Sequence, residues 1–121
     1  MNEEFIKQHS VEIAKYILDS ITYFPEIVMS WGINPESLKA IIVDNMPGLE
    51  FHTQGYKHNG LVQVLLNEGA DTFEVRLLND FEELVSKTED VYLQELTNTI
   101  DNLVEKTDDY VKRVSEDYLG A

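Results

Sequence analysis

The chain has 121 residues, of which 43% are hydrophobic, and it contains no cysteine. This length is typical of one domain with a sizeable core, and the missing cysteines exclude disulfides, thiolate metal sites and cysteine nucleophiles. The formal net charge is −14, and residues 68–121 carry −10 of it. Such a field repels nucleic acid and anionic lipid, so we expect no direct binding to either and a basic protein as partner.

The N-terminal segment and the longest apolar runs bear on the compartment. The start, "MNEEFIKQH", has neither the basic region nor the apolar region of a secretory signal. The longest apolar runs are far shorter than a membrane span. We therefore expect a cytoplasmic protein without a membrane segment.

The first predicted element is a helix. Apolar residues from Glu3 to Thr22 recur at helical spacing, and Pro25 disfavours a helical Phe24. Prolines and glycines divide residues 25–47, which allow a helical turn around 25–31 and either a strand or a short helix around 38–44. Trp31 is expected to be a core or lid residue with its indole N–H hydrogen-bonded.

The middle of the chain predicts an antiparallel meander, because apolar and polar residues alternate in three segments. The inward sets are Leu49, Phe51 and Thr53, then Val62, Val64 and Leu66, then Phe73, Val75 and Leu77. Pairing Val64 with Val75 leaves residues 68–71 as a loop, and pairing Phe51 with Val64 and Thr53 with Val62 leaves residues 56–59. The stretch "NEGAD" does not match the ligand spacing of a calcium loop. It is therefore expected to be a turn in which Gly69 supplies the conformational freedom.

The last part of the chain returns to helical spacing. Residues 80–88 allow either a short strand, Glu83 to Lys87, or a helical turn, and Thr88 is the expected N-cap of a helix that follows. A second helix is expected after Thr107. The sequence thus predicts a single α+β domain over residues 1–121. It has an N-terminal helix, a meander of three to five strands, and C-terminal helices packed on the sheet in two layers.

Enzymatic chemistry has no support in the sequence. There is no nucleophile elbow, phosphate-binding loop or dinucleotide fingerprint, and the histidines lack metal-ligand spacing. We expect no catalytic residue, no metal and no cofactor.

An acidic stripe is the first candidate site, for partner binding. Asp101, Glu105, Asp109 and Glu116 fall near one helical face, and steps of four residues rise about 6 Å, close to the spacing of phosphates along a strand. Such a stripe could occupy the basic groove of a nucleic-acid-binding protein as a DNA mimic. The alternative is a face that is simply solvated. The acids between Asp80 and Asp90 would extend the field.

The outer face of the predicted sheet holds two further candidates. His52, Gln63 and Arg76 would form a row able to grip a carboxylate or phosphate, unless Glu50 and Glu74 satisfy Arg76 internally. Leu61, Leu65 and Leu78 lie on the same face. Either the helix after Thr107 covers these leucines, or they form an interface with a partner or a second copy. An exposed, unpaired sheet edge could also contribute to such an interface.

Two stretches carry a resemblance to other proteins: "LEFHTQGYKHNGLVQVLLNEGADTFEVRLLN" and "EDVYLQELTNTIDNLVEKTDDYVKRV". They resemble a group of small uncharacterised proteins encoded in genomes and mobile elements of gut anaerobes. The likeness spans roughly Ser30 to Leu119. It implies an α+β fold and a mobile-element or accessory role, and the group has no established activity to transfer to any residue.

The sequence therefore predicts a non-enzymatic module that binds a basic partner, in its sharper version an accessory or counter-defence protein. The alternative is a small-ligand or anion-binding module that uses the outer face of the sheet.

Overall fold

The computed structural model describes residues 3–23 and 28–105. In this part of the chain, helix α1 (Glu3–Ile21) is followed by five strands and helix α2 (Leu96–Val104). The strands are β1 (Lys39–Val43), β2 (Met46–Gln54), β3 (Asn59–Asn67), β4 (Thr72–Leu78) and β5 (Leu84–Val91), in one antiparallel sheet in sequence order. Short 3-10 turns at Pro35–Ser37 and Leu93–Glu95 precede β1 and α2. The predicted α+β class is confirmed, whereas the helix expected after Thr107 lies outside the described residues.

The core lies between the inner face of the sheet and the two helices. The alternating residues predicted to point inward are buried there, except for Leu66, which is half-buried against the core. Ile17 and Ile21 of α1 and Ile100 and Val104 of α2 are buried with them. Trp31 is fully buried, and its ring stacks on that of Phe51 at a centroid distance of 6.4 Å. The core position predicted for Trp31 is confirmed.

The predicted register is confirmed between β3 and β4, where Val64 lies opposite Val75, and wrong between β2 and β3. There Phe51 lies opposite Val62 rather than Val64, and Thr53 lies opposite Gly60. The loop is therefore residues 55–58. A shift of two residues keeps every side chain on its own face, so the alternation cannot distinguish the two registers.

Packing of the β2–β3 loop on the end of α2 accounts for the observed register. The Lys57 and His58 amides both donate to the Val104 carbonyl, at 2.8 and 3.2 Å. These bonds satisfy a carbonyl that has no partner within the helix. Gly55 allows the contact, because a Cβ at this position would lie 2.4 Å from the Val104 carbonyl oxygen.

The segment around residues 38–44 is a strand, which settles the two alternatives for that region. β1 joins β2 through a tight turn in which Asp44 and Asn45 have φ angles of 51° and 65°, as in a type I′ turn. Pro47 pairs with β1 only, and the β2–β3 pairing begins at Gly48. Proline has no N–H to donate to the strand on its other side.

β5 replaces the expected start of a helix at Thr88. Thr88 lies opposite Val75 within the sheet, and α2 begins only at Leu96, so the predicted N-cap is wrong. The strand contains a bulge where Val75 pairs with Thr88 and Phe73 with Val91, and Asp90 has a φ of 57°. Hydrogen bonding to β4 thus outweighs the local helical signal of this segment.

Residues 68–71 form the predicted turn between β3 and β4. The residue with positive φ is Asp71, at 54°, so the role predicted for Gly69 is wrong. The Asn67 side chain accepts a hydrogen bond from the Ala70 amide at 3.2 Å, and Glu68 pairs with His9 of α1 at 3.1 Å. A side-chain hydrogen bond of this kind stabilises the turn.

Of the helices in the described part of the chain, none is both long and apolar enough to cross a membrane.

Candidate functional site

The two described members of the predicted acidic stripe make hydrogen bonds within the chain. Asp101 Oδ1 accepts from the Trp31 indole Nε1 at 2.9 Å, and Glu105 Oε2 accepts from the Tyr56 amide at 2.7 Å. Asp101 therefore anchors the buried indole, and Glu105 anchors the β2–β3 loop. Asp109 and Glu116 lie outside the described residues. The described half of the stripe thus has a structural use.

The predicted ligand row is not assembled as expected. Because of the two-residue shift in register, His52 lies opposite Leu61, and Gln63 lies between Glu50 and Arg76. Gln63 donates to Glu50 Oε1 at 3.0 Å, and His52 Nε2 is 3.0 Å from Asp80 Oδ1. The structure brings together Gln63 and Arg76 but places His52 elsewhere.

Arg76 is held by two carboxylates. Its Nε contacts Glu74, and its Nη2 lies 2.8 Å from Asp44 in the β1–β2 turn. Burial opposes the charged form of Arg76, but the hydrogen bonds to Asp44 and Glu74 outweigh it and raise the pKa of Arg76 above its ordinary value. Pairing of Arg76 with nearby carboxylates was the alternative expected from the sequence. It occupies the Arg76 guanidinium, which is therefore not open to an anion.

The outer face of the sheet is concave. Arg76 of β4 reaches the β1–β2 turn, and Asp80, which follows β4, reaches His52 of β2. Such contacts between non-adjacent strands require a curled sheet. Leu65 has no exposed surface, and Leu61 and Leu78 are half-buried. Leu65 is therefore not exposed, and the helix after Thr107 that was the alternative cover for these leucines lies outside the described residues.

A cavity of about 440 Å³ lies on this concave face. Its lining includes three carboxylates, from Glu36, Glu50 and Glu82, with Lys39 and His52. Lys39 Nζ lies 2.9 Å from Glu50. The hydrogen bond to Glu50, the charge of Glu50 and then the charge of Glu82 raise the pKa of Lys39 above its ordinary value. The carboxylates outnumber the ammonium group, so the cavity favours cations over anions.

The β4–β5 connection, residues 79–83, is largely exposed, and we call it the acidic turn. Asn79 Oδ1 accepts hydrogen bonds from the amides of Phe81 and Glu83, at 2.9 and 3.0 Å. The Asn79 amide donates to the Glu83 carbonyl at 2.9 Å, and the Glu82 amide donates to the Asn79 carbonyl at 3.0 Å. These bonds hold the turn in one conformation.

The acidic turn presents an aromatic ring among carboxylates. Phe81 is 83% exposed and lies between Asp80, Glu82 and Glu83 along the chain. Leu84 and Val85, which begin β5, are 57% and 59% exposed. Exposed aromatic residues on preformed structure are typical anchors of protein interfaces. We call the acidic turn together with β5 the acidic edge.

The acids of this region were predicted to extend a wider acidic field, but the exposure of Phe81 among them was not predicted. The available signal was Asn79-Asp80 directly after a strand pattern, since asparagine and aspartate favour turns. The sequence allowed either a strand or a helical turn in residues 80–88. Because the strand after this segment was not certain, the turn before it could not be assigned.

No group of three or more histidine or acidic side chains in residues 3–23 and 28–105 is arranged to hold a metal ion.

The fold and these surfaces define an α+β protein with a curled five-stranded meander, which packs both described helices on its inner face and has a concave, acidic outer face. Comparison with protein-family models, with curated proteins and with solved structures finds no match for this chain. The resemblance to small proteins of gut anaerobes therefore stays an expectation.

Proposed function

We propose that this protein is a non-enzymatic, cytoplasmic module that binds a basic protein partner through its acidic edge. The observation that carries the proposal is the acidic turn, in which a hydrogen-bonded scaffold presents Phe81 among Asp80, Glu82 and Glu83. A rigid turn loses little conformational freedom on binding, and a desolvated aromatic ring supplies affinity that charge alone does not.

The charge distribution supports a basic partner. Glu89 and Asp90 are exposed on β5, so carboxylates extend from the acidic turn along the strand. Together with a net charge of −14, they attract a basic surface over a distance and raise the rate of encounter. A nucleic-acid-binding protein has such a surface, which supports the sharper version of the proposal, a DNA mimic with an accessory or counter-defence role.

The acidic edge replaces the C-terminal stripe as the proposed contact. Asp101 and Glu105 are half-buried and accept hydrogen bonds from the Trp31 indole and the Tyr56 amide. Asp80, Glu82 and Glu83 are exposed, and the contacts of Asp80 with His52 and of Glu83 Oε1 with Asn79 Nδ2 lie at the surface. Reversing Asp101 or Glu105 would therefore disturb the fold as well as any contact. The acidic turn offers a cleaner test.

The test is a tagged pull-down from host lysate with wild type and two variants, Phe81→Ser and Glu82→Lys/Glu83→Lys. Met29→Ser is the matched apolar control, because Met29 is 81% exposed and lies in another part of the chain. Glu12→Lys/Asp19→Lys makes the same charge change on exposed positions of α1. Washes at about 0.15 M and about 0.5 M salt separate charge-driven from apolar contacts.

The expected result is a nucleic-acid-binding protein that is retained by wild type and both controls and lost with both turn variants. It should also be released at the higher salt and displaced by duplex DNA. Equal recovery with the turn variants and the controls would refute the proposed surface. Recovery of no basic protein by the wild type would refute the proposed partner class.

The outer-face cavity favours a second candidate, a small-ligand module. Its three carboxylates against one lysine point to a cationic ligand rather than the anion expected from the sequence. A thermal-shift titration with a polyamine would test this, with Glu36→Gln as the binding variant and Glu12→Gln as the control. Stabilisation by the polyamine that is weaker in Glu36→Gln alone would support the second candidate.

A further inference from the structure

The two edges of the sheet differ in charge and regularity. β5 contains a bulge, Lys87 and two exposed acids, Glu89 and Asp90, features that discourage pairing with another strand. β1 pairs with β2 through five successive residue pairs without a bulge, and its sequence KAIIV carries one charge, on Lys39. Ala40 is exposed, and Ile42 is 48% exposed. β1 is therefore the edge that remains suited to strand addition.

The β1–β2 turn shows which backbone groups of β1 point away from the sheet. The residues that flank a tight two-residue turn, Val43 and Met46, form a hydrogen-bonded pair, and such pairs alternate along an antiparallel ladder. Ile41 and Lys39 therefore also bond to β2. The N–H and C=O groups of Ala40 and Ile42 point outward, where the described part of the sheet has no further strand.

A second copy of β1 fits this pattern when it runs antiparallel with Ile41 at a two-fold axis. Ala40 then lies opposite the partner's Ile42, and Ile42 lies opposite the partner's Ala40, so every outward N–H meets an outward C=O. Shifting the register by one residue would place outward groups opposite inward ones. The strand is thus complementary to itself in the way that a two-fold interface requires.

Charge complementarity favours the same arrangement. Lys39 begins β1, and Asp44 directly follows its end. In the antiparallel pair Lys39 lies opposite the partner's Val43, and the partner's Asp44 is the next residue along, at both ends of the interface. Within each copy Lys39 already pairs with Glu50 and Asp44 with Arg76, so this contact adds to existing ion pairs. Pairing through β5 would instead bring the acids of two copies together. A second copy is therefore a better occupant of the β1 edge than of the β5 edge.

We propose that the protein forms a two-fold homodimer in which the β1 strands of two copies pair antiparallel and make one continuous ten-stranded sheet, twice the five strands of one copy. The strand is short, so the interface is small and the dimer dissociates on dilution. The dimer should strengthen as salt rises, because salt screens the repulsion between two chains of net charge −14. Binding of a basic partner at the acidic edge should instead weaken as salt rises. The salt dependence therefore distinguishes failure of the dimer proposal from failure of the partner-binding proposal.

The experiment is sedimentation-velocity analysis of the whole chain over a wide concentration range at two salt concentrations. Ile42→Lys places a charge on the exposed edge, and Ala40→Pro removes an outward N–H while the hydrogen bonds from Lys39 and Ile41 to β2 remain. Val85→Lys is the matched control on β5, where Val85 is 59% exposed. Thermal melts of all variants establish that they are folded.

The expected result is a concentration-dependent dimer for wild type and Val85→Lys, with both β1 variants folded and monomeric throughout. A wild type that is monomeric at the highest concentration would overturn the proposal. So would a dimer that persists in both folded β1 variants, or one that only Val85→Lys abolishes.

Discussion

Replacing Asp101 by alanine should destabilise the protein by about 1–3 kcal/mol, the usual cost of leaving a buried donor without its partner. The donor is the indole Nε1 of Trp31, a residue with no exposed surface, and the bond to Asp101 Oδ1 is 2.9 Å long. Asp101 itself is only half-buried, so the cavity left by its side chain adds little. For a chain of this size, each kcal/mol lowers Tm by roughly 3–6 °C.

Asp101→Asn separates the hydrogen bond from the charge. It keeps an oxygen that can accept the indole N–H, but the bond is no longer charge-assisted, so we expect about half the loss seen with alanine. The assay is urea unfolding followed by tryptophan fluorescence. Trp31 is the only tryptophan, so the signal reports on this environment alone. Glu12→Ala, an exposed acid on α1, controls for removing one negative charge.

Two outcomes would refute the reasoning about Asp101. If Asp101→Ala were as stable as Glu12→Ala, the hydrogen bond to Trp31 would contribute nothing to folding. If Asp101→Asn lost as much stability as Asp101→Ala, the charge and not the acceptor oxygen would be the stabilising feature.

Further predictions follow from backbone packing, from the buried pair of Arg76 with Glu74 and from the exposed Lys39 that pairs with Glu50. Gly48→Ala should prevent folding or destabilise it by more than about 3 kcal/mol, because the new Cβ would lie 2.0 Å from the Val64 carbonyl oxygen. At Gly69 a new Cβ would have only Asn67 Oδ1 nearby, at 3.6 Å, so Gly69→Ala should be neutral or stabilising. Thermal melts compare the two variants, and an equal loss of stability in Gly48→Ala and Gly69→Ala would contradict this reasoning. Arg76→Met should lower the free energy of unfolding in urea by about 3 kcal/mol, because Glu74 is only 8% exposed and loses its partner. Arg76→Met/Glu74→Met should recover most of that stability. A double variant no more stable than Arg76→Met would contradict this explanation. The pKa of Lys39 is raised, so its stabilising effect is present below the ordinary lysine pKa and lost as pH rises through the folded-state pKa. The difference in stability between wild type and Lys39→Met should therefore be present at about pH 8 and decrease as the pH rises through the raised pKa of Lys39. A difference that grew with pH would show that the sign is wrong.

Local patterns predicted much of the fold. The helical spacing over α1 and the period of two in β2, β3 and β4 depend on which residues are apolar. Among the residues whose burial is described, Ile17 and Ile21 of α1 and most of the inward strand residues are buried. The pairing of β3 with β4 was predictable because the turn at residues 68–71 is short and contains turn-forming residues. These features follow from interactions between residues close together in the chain.

The candidate sites were harder to predict, because each depends on residues far apart in sequence. Asp101 looked like part of a partner-binding stripe, yet Trp31, seventy positions away, uses its carboxylate. Leu65 was predicted either to be covered or to form an interface on the outer face, and the structure shows that it is buried. A sequence pattern identifies the face of an element but not what lies against that face.

For this protein, the order of polar and apolar residues by itself determined the α+β class, the inward face of each central strand and the acidity of the surface. Tertiary structure alone decided the register of β2 on β3, because a two-residue shift leaves the side-chain alternation unchanged, whereas contacts such as those of Lys57 and His58 with the end of α2 fit the observed pairing. It also decided that Thr88 belongs to a strand, since β4 supplies hydrogen bonds that no local propensity can match.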